Sequence, residues 1–125
     1  MTDRKPSNSP LIWLFLCAGL TIFILWLALM PATSAPTGLG WDKLNHAGAM
    51  AVVTGFAYLA FRPRAQAATA AFWYGSLLGI LIEILQGTLT TTRFAEWSDV
   101  VADLIGAGFA LIVIKIYQRR TAPTR

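Results

Sequence analysis

The stretch LIWLFLCAGLTIFILWLALM, residues 11–30, contains twenty residues and no charged side chain. An α-helix needs about 20 apolar residues to cross roughly 30 Å of hydrocarbon, so this stretch has the length and composition of a membrane span. Across all 125 residues, 13% are charged and 56% are hydrophobic. Soluble proteins average about 25% charged residues, and the deficit indicates a surface that faces lipid.

Three further apolar stretches follow, at residues 44–61, 65–87 and 98–117. They are close to span length and lack the alternating polarity of transmembrane strands. Proline and glycine interrupt the chain after residue 30, and Pro63 lies in the turn after residue 61, where it cannot continue a helix. We therefore predict an all-α membrane protein, with one domain over residues 1–125 and four transmembrane helices. A signal peptide is the alternative for residues 11–30, but its apolar core usually has only about 7–15 residues.

The cations predict the orientation of these helices. Four spans place both tails and the central loop on one side, and eight of the ten Lys and Arg residues fall there: Arg4, Lys5, Arg62, Arg64, Lys115, Arg119, Arg120 and Arg125. Lys43 and Arg93 fall on the other side. Because Lys and Arg collect on the cytoplasmic side, we predict cytoplasmic termini in a cytoplasmic (inner) membrane. The formal net charge of +4 then reports topology and does not indicate nucleic-acid binding.

The carboxylates follow the opposite pattern. Five of the six lie in the outer loops or the outer parts of the spans: Asp42, Glu83, Glu96, Asp99 and Asp103. Glu83 belongs to a stripe with Gly75, Gly79 and Gly87, which recurs every four residues and so occupies one helix face. Small residues let membrane helices approach closely. The stripe predicts that Glu83 faces a neighbouring helix and not lipid.

Polar residues at one depth on three spans predict a single outer-facing site. The candidate catalytic residues are Glu83, His46, Asp42 and Asp103, and the candidate binding residues are Lys43, Gln86, Arg93 and Asp99. Glu83 or Asp103 would act as a general acid, and His46 or Asp42 as a general base. We expect Arg93 or Lys43 to pair with Glu83. Glu96 is interpreted as a plain loop charge.

Simpler roles also fit several of these residues. Asp42 and Asp99 fall where helices begin, where a carboxylate can cap the helix or interact with its dipole. Glu83 and Asp103 could hold helices together by hydrogen bonds. The carboxylates outnumber the nearby cations, so either one of them holds a proton or a bound cation compensates. The chain has one histidine; we assign no metal and no cofactor, with a divalent cation as the alternative.

Three blocks resemble the VanZ-like membrane proteins in order and spacing: WDKLNH (41–46), EILQ (83–86) and RFAEWSDVVADLIG (93–106). The resemblance covers roughly residues 41–108. Asp103 is a departure, because the family pattern has Asn at this position. The resemblance implies a bacterial cell-envelope setting and an association with resistance to the glycopeptide antibiotic teicoplanin. It supplies no reaction.

Three functions fit these residues. The chain could be a membrane enzyme acting at the outer leaflet on an envelope lipid or a lipid-linked wall precursor. It could instead be a binding module that sequesters a wall precursor or an antibiotic. Thirdly, it could be an accessory membrane protein whose polar cluster only holds four helices together.

Overall fold

The computed structural model describes residues 9–33 and 42–124. It contains four α-helices: α1 (Pro10–Leu29), α2 (Asp42–Phe61), α3 (Ala67–Leu89) and α4 (Trp97–Thr121). All four are long and apolar enough to cross a membrane, and no strand occurs within the described ranges. The predicted all-α architecture is confirmed. Arg4, Lys5, Trp41, Arg125 and most of the linker between α1 and α2 lie outside the described residues.

The helix ends follow from local chemistry. Pro10 occupies the first position of α1, where its fixed φ suits a helix, and the Ser9 hydroxyl accepts a hydrogen bond from the Leu11 N–H (3.3 Å). α3 continues through Leu89, two residues beyond the predicted end. α4 continues to Thr121 and includes two arginines in its last turn. Cations there interact favourably with the carbonyl end of the helix dipole, which accounts for the longer helix.

Helices α2 and α3 form the centre of the bundle. Each contacts all the other helices, and α1 and α4 flank them. Small side chains fill much of the core: Ala57, Ala71 and Ala107 are fully buried. In contrast, α1 presents large apolar side chains outwards, and Phe15 is 76% exposed. Small residues inside and large apolar residues outside are the pattern expected of helices packed in lipid.

The glycine stripe of α3 faces α2, α4 and the loop before α4. A Cβ built on Gly75 would meet Thr54, one on Gly79 would meet Asp103, and one on Gly87 would meet Ala95. Glu83 shares this face and is 4% exposed. The prediction that Glu83 faces a neighbouring helix is confirmed, because its Oε1 lies 3.9 Å from His46 on α2. The end of the bundle where α2 and α4 begin and α3 ends therefore encloses a carboxylate.

Candidate functional site

His46 lies at the centre of a group of carboxylates contributed by two other helices. Its Nδ1 atom is 3.1 Å from Oδ1 of Asp103 on α4 and 3.9 Å from Oε1 of Glu83 on α3. Its Nε2 atom is 3.8 Å from Oδ2 of Asp99. Both ring nitrogens thus face negative oxygens. We call His46, Glu83, Asp99, Asp103 and Lys43 the polar cluster.

Lys43 forms the half-exposed rim of the polar cluster. Its Nζ donates to Asp99 Oδ1 at 3.2 Å and lies 3.6 Å from Glu96 Oε2. The lysine side chain is 40% exposed, whereas that of Asp99 is 6% exposed. Asp99 is the third residue of α4, and Glu96 precedes the helix without a side-chain capping bond. The Asp99 carboxylate therefore joins α4 to α2 through an ion pair.

Glu83 has a partner that the sequence analysis did not anticipate. Its Oε2 accepts a hydrogen bond from the backbone N–H of Glu96 at 2.9 Å. The expected ion pair between Glu83 and Lys43 or Arg93 is wrong, because Lys43 contacts Asp99 and Glu96 instead. The loop before α4 folds back over the end of α3 and supplies a donor that needs no charged side chain.

Gln86 and Arg93 turn away from the polar cluster and towards the end of α1. Gln86 Nε2 donates to the Ala28 carbonyl at 2.9 Å. Arg93 Nε donates to the Met30 carbonyl at 2.8 Å. Carbonyls in the last turn of a helix lack intrahelical partners, so these two side chains satisfy backbone acceptors that the helix leaves unpaired. Both residues lie beside the site without contacting its histidine.

Asp42 lies at the edge of the polar cluster. It is the first residue of α2 and is exposed. A carboxylate oxygen of Asp42, a ring nitrogen of His46 and a carboxylate oxygen of Asp99 lie within 4.8 Å of one another. The structure therefore brings Asp42, Lys43, His46, Glu83, Asp99 and Asp103 together, and leaves Gln86 and Arg93 at the neighbouring helix end.

Glu96 contributes to the site, whereas the sequence predicted only a plain loop charge. Its backbone N–H bonds Glu83, and its side chain lies near Lys43 and accepts from the Ser98 hydroxyl at 3.2 Å. A sequence signal existed, since Glu96 directly precedes α4, where free backbone N–H groups are expected.

Two buried carboxylate oxygens have no hydrogen-bond partner among residues 9–33 and 42–124. They are Glu83 Oε1 and Asp103 Oδ2. Glu83 Oε1 is also the carboxylate atom that faces His46, and Asp103 is only 1% exposed. Buried polar atoms are normally paired, because an unpaired one costs several kcal/mol. The site therefore combines a titratable imidazole with an unpaired acceptor beside it, Glu83 Oε1.

No protein-family model, curated protein or solved structure matches the chain. The resemblance to the VanZ-like family therefore stays a prediction based on the three sequence blocks. What the site can do follows from its geometry: a histidine between carboxylates, at one end of four apolar helices, with a lysine at the opening.

Proposed function

We propose that the chain spans the cytoplasmic membrane four times, with both termini in the cytoplasm and the polar cluster at the outer face. The length and apolarity of α1 to α4 support the spans. The eight-to-two distribution of Lys and Arg supports the orientation. Arg62 and Arg64 lie in the turn between α2 and α3, at the end of the bundle opposite the cluster.

Cysteine labelling tests this orientation. In a Cys17→Ser background, Thr91→Cys should react with a membrane-impermeant thiol reagent in intact cells, because Thr91 is exposed in the loop after α3. Gln66→Cys, equally exposed in the turn before α3, should react only after the cells are opened. Thr37, another probe of the outer side, lies outside the described residues. Labelling of Gln66→Cys alone in intact cells would reverse the orientation.

Within this topology, we propose that the polar cluster acts on the headgroup of a cell-envelope lipid or a lipid-linked wall precursor. The observation that carries the proposal is the position of His46, 3.1 Å from a buried Asp103 and 3.9 Å from a buried Glu83. General acid–base catalysis requires a group that can take up and release a proton. A second titratable group must lie beside it, in an environment that gives it a different pKa. A lipid headgroup at the membrane surface would contact Lys43 first, because Lys43 forms the half-exposed rim of the polar cluster. The positive charge of Lys43 attracts a headgroup phosphate.

The residues then divide the chemistry between them. His46 would take a proton from the attacking hydroxyl or water, and Glu83 or Asp103 would supply one to the leaving group. Asp42, exposed at the edge, is the alternative base. Lys43 would hold the headgroup while remaining paired with Asp99, 3.2 Å away. An envelope substrate also accounts for an effect on glycopeptide susceptibility, which the family resemblance implies.

A second candidate function is a non-catalytic binding or accessory role, in which the polar cluster is structural. The hydrogen bonds that join helix ends favour it: Glu83 to the Glu96 N–H and Gln86 to the Ala28 carbonyl. Each ties a helix to a neighbouring segment of the chain. Under this alternative, changing Glu83 lowers stability and leaves cellular lipids unchanged, whereas saturable binding of a precursor without turnover indicates a binding module.

Lipid extracts of cells with and without the gene test the enzymatic proposal. We expect the wild-type chain to alter the amount of at least one envelope lipid or lipid-linked precursor, measured by mass spectrometry. Glu83→Gln should reduce the rate of that change about 100-fold or more, because general acid–base groups contribute roughly 10²–10⁴-fold. Gln retains an oxygen that can accept from the Glu96 N–H, so the variant should still insert and fold.

Asn45→Ala is the matched control. Asn45 is adjacent to His46 in sequence but is exposed, so the variant should behave like the wild type. The amount of each variant in the membrane and its melting temperature in detergent should be measured in parallel. A Glu83→Gln variant with a lower melting temperature and wild-type lipid turnover would support the structural role and contradict the proposed activity.

A further inference from the structure

Three helices place one potential metal ligand each at a common point. A ring nitrogen of His46 on α2, a carboxylate oxygen of Glu83 on α3 and one of Asp103 on α4 lie within 4.8 Å of one another. Two of the separations are 3.1 Å, from His46 Nδ1 to Asp103 Oδ1, and 3.9 Å, from Nδ1 to Glu83 Oε1. An ion held about 2.1 Å from each ligand keeps its ligand atoms roughly 3 to 4 Å apart. These two separations therefore suit direct coordination.

The unpaired Glu83 Oε1 is an independent observation that points to a bound cation, whereas the unpaired Asp103 Oδ2 lies on the Gly79 side and is not the Asp103 oxygen that faces His46. Within the part of the chain that the structure describes, neither Glu83 Oε1 nor Asp103 Oδ2 has a hydrogen-bond partner. Both residues are more than nine-tenths buried. Glu83 turns Oε1 towards His46 although its other oxygen is already satisfied by the Glu96 N–H. Buried charges in proteins are paired or coordinate metals, and the nearest lysine is engaged elsewhere.

We propose that His46, Glu83 and Asp103 bind a divalent first-row transition-metal ion. Zn²⁺ and Mn²⁺ are the two ions to test. One imidazole nitrogen with two carboxylate oxygens is a mixed donor set, which such ions accept and which Mg²⁺ and Ca²⁺, preferring oxygen alone, do not. Two carboxylates balance the two positive charges of the ion. Coordination by all three residues fixes α2, α3 and α4 to one another.

Asp99 lies beside His46 but is not one of the proposed ligands. Its Oδ2 lies 3.8 Å from His46 Nε2, the nitrogen on the opposite side of the ring from the proposed ion. This separation exceeds hydrogen-bond distance, so Asp99 acts on the His46 ring through its charge, which favours a proton on Nε2 when Nδ1 binds the ion. Lys43 holds the other oxygen of Asp99 at 3.2 Å. Asp99 is therefore a positioning residue, and the alternative ligand group of Asp42, His46 and Asp99 is disfavoured because Asp42 is exposed and Asp99 is already paired.

Cation binding competes with a proton at His46. In the ion-free contact, one proton lies between His46 Nδ1 and Asp103 Oδ1, which are 3.1 Å apart. A metal takes the lone pair of the deprotonated nitrogen, and binding therefore releases that proton to solvent. Affinity should fall as the pH is lowered. This inference uses the residues to which we assign the acid–base roles: in the ion-bound chain His46, Glu83 and Asp103 hold the ion, and Asp42 is left as the base. Binding itself is measured without any lipid substrate.

The test uses the full chain purified in detergent, treated with a chelator and then titrated with Zn²⁺ or Mn²⁺ by calorimetry. We expect one ion per chain, release of about one proton, and a higher melting temperature with the ion. Glu83→Gln and Asp103→Asn retain the shape of the side chain, and each should weaken binding by at least 10-fold. Asp42→Asn is the matched control from the alternative group and should bind like the wild type.

Three outcomes would overturn the proposal: no binding by folded wild-type chain, wild-type affinity in both Glu83→Gln and Asp103→Asn, or loss of binding in Asp42→Asn alone. Circular dichroism establishes that each variant is helical before titration. Glu83→Gln and Asp103→Asn change different helices. If one variant fails to fold, the cation affinity of the other still tests the proposal. Failure of the lipid experiment with intact cation binding would contradict only the proposed envelope activity.

Discussion

Gly106→Ala should destabilise the protein by about 3 kcal/mol or more, although it adds one methyl group to a helix. A Cβ at residue 106 would lie 2.7 Å from the carbonyl carbon of Ala47 and 2.8 Å from its Cα, and would come closer still to the Ala47 carbonyl oxygen. These are backbone atoms, which cannot rotate away as a side chain can. Overpacking a close contact costs about 1–3 kcal/mol and sometimes more, and here α2 and α4 must separate.

Gly108→Ala provides the matched control for this prediction. Gly108 lies two residues further along α4, and nothing lies within 4 Å of a Cβ built on it. Alanine favours helix over glycine by up to about 1 kcal/mol, so this variant should be neutral or slightly more stable. Unfolding of both variants in detergent, followed by circular dichroism, compares them directly. Equal stability of the two variants would mean that α2 and α4 do not approach at Gly106.

Gly79→Ala should disable the polar cluster without changing any polar residue. The added Cβ would lie 2.6 Å from Asp103 Cβ, 2.7 Å from its Oδ2 and 2.8 Å from its Cγ. Asp103 must move, and its Oδ1 loses the 3.1 Å contact with His46 Nδ1. We expect cation affinity to fall at least 10-fold, as it does when residues that orient metal ligands are changed. Envelope-lipid turnover should fall with it.

Gly48→Ala is the control for this effect. Gly48 follows His46 by two residues on α2, and a Cβ there meets nothing within 4 Å. Its cation affinity, measured by the same calorimetric titration, should equal that of the wild type. Wild-type affinity in folded Gly79→Ala would show that Asp103 does not depend on the space left by this glycine.

The helices themselves could be predicted from the sequence because span length and apolarity are local properties. The predicted spans 11–30 and 44–61 correspond to α1 (Pro10–Leu29) and α2 (Asp42–Phe61). The inward face of α3 was predictable as well, since glycines at every fourth position mark the side where another helix can approach. The extension of α4 to Thr121 was not predicted, because residues 118–121 are polar and the predicted span was defined by apolar residues. A helix can continue beyond the end of its apolar segment.

The partners within the site could not be predicted from spacing. Sequence periodicity predicts the face of α3 on which Glu83 lies and its distance from the helix end. The rotation and offset of α2 and α4 relative to α3 decide which atoms contact its carboxylate. The ion pair expected for Glu83 is absent from the described structure because a loop folds back and presents the Glu96 N–H at 2.9 Å. Lys43 is thereby left to Asp99, and Arg93 reaches the Met30 carbonyl instead.

The sequence by itself determined that this chain forms four apolar helices with its carboxylates collected towards one end. Lipid-compatible helices satisfy their backbone hydrogen bonds within each segment, so their existence does not depend on neighbours. Only the tertiary structure decided that His46 lies between Asp103 and Glu83, with two carboxylate oxygens unpaired among the described residues. Those contacts join residues 37 and 57 positions apart in sequence. They arise from close helix packing at Gly79 and Gly106, where the absence of a side chain sets how the helices meet.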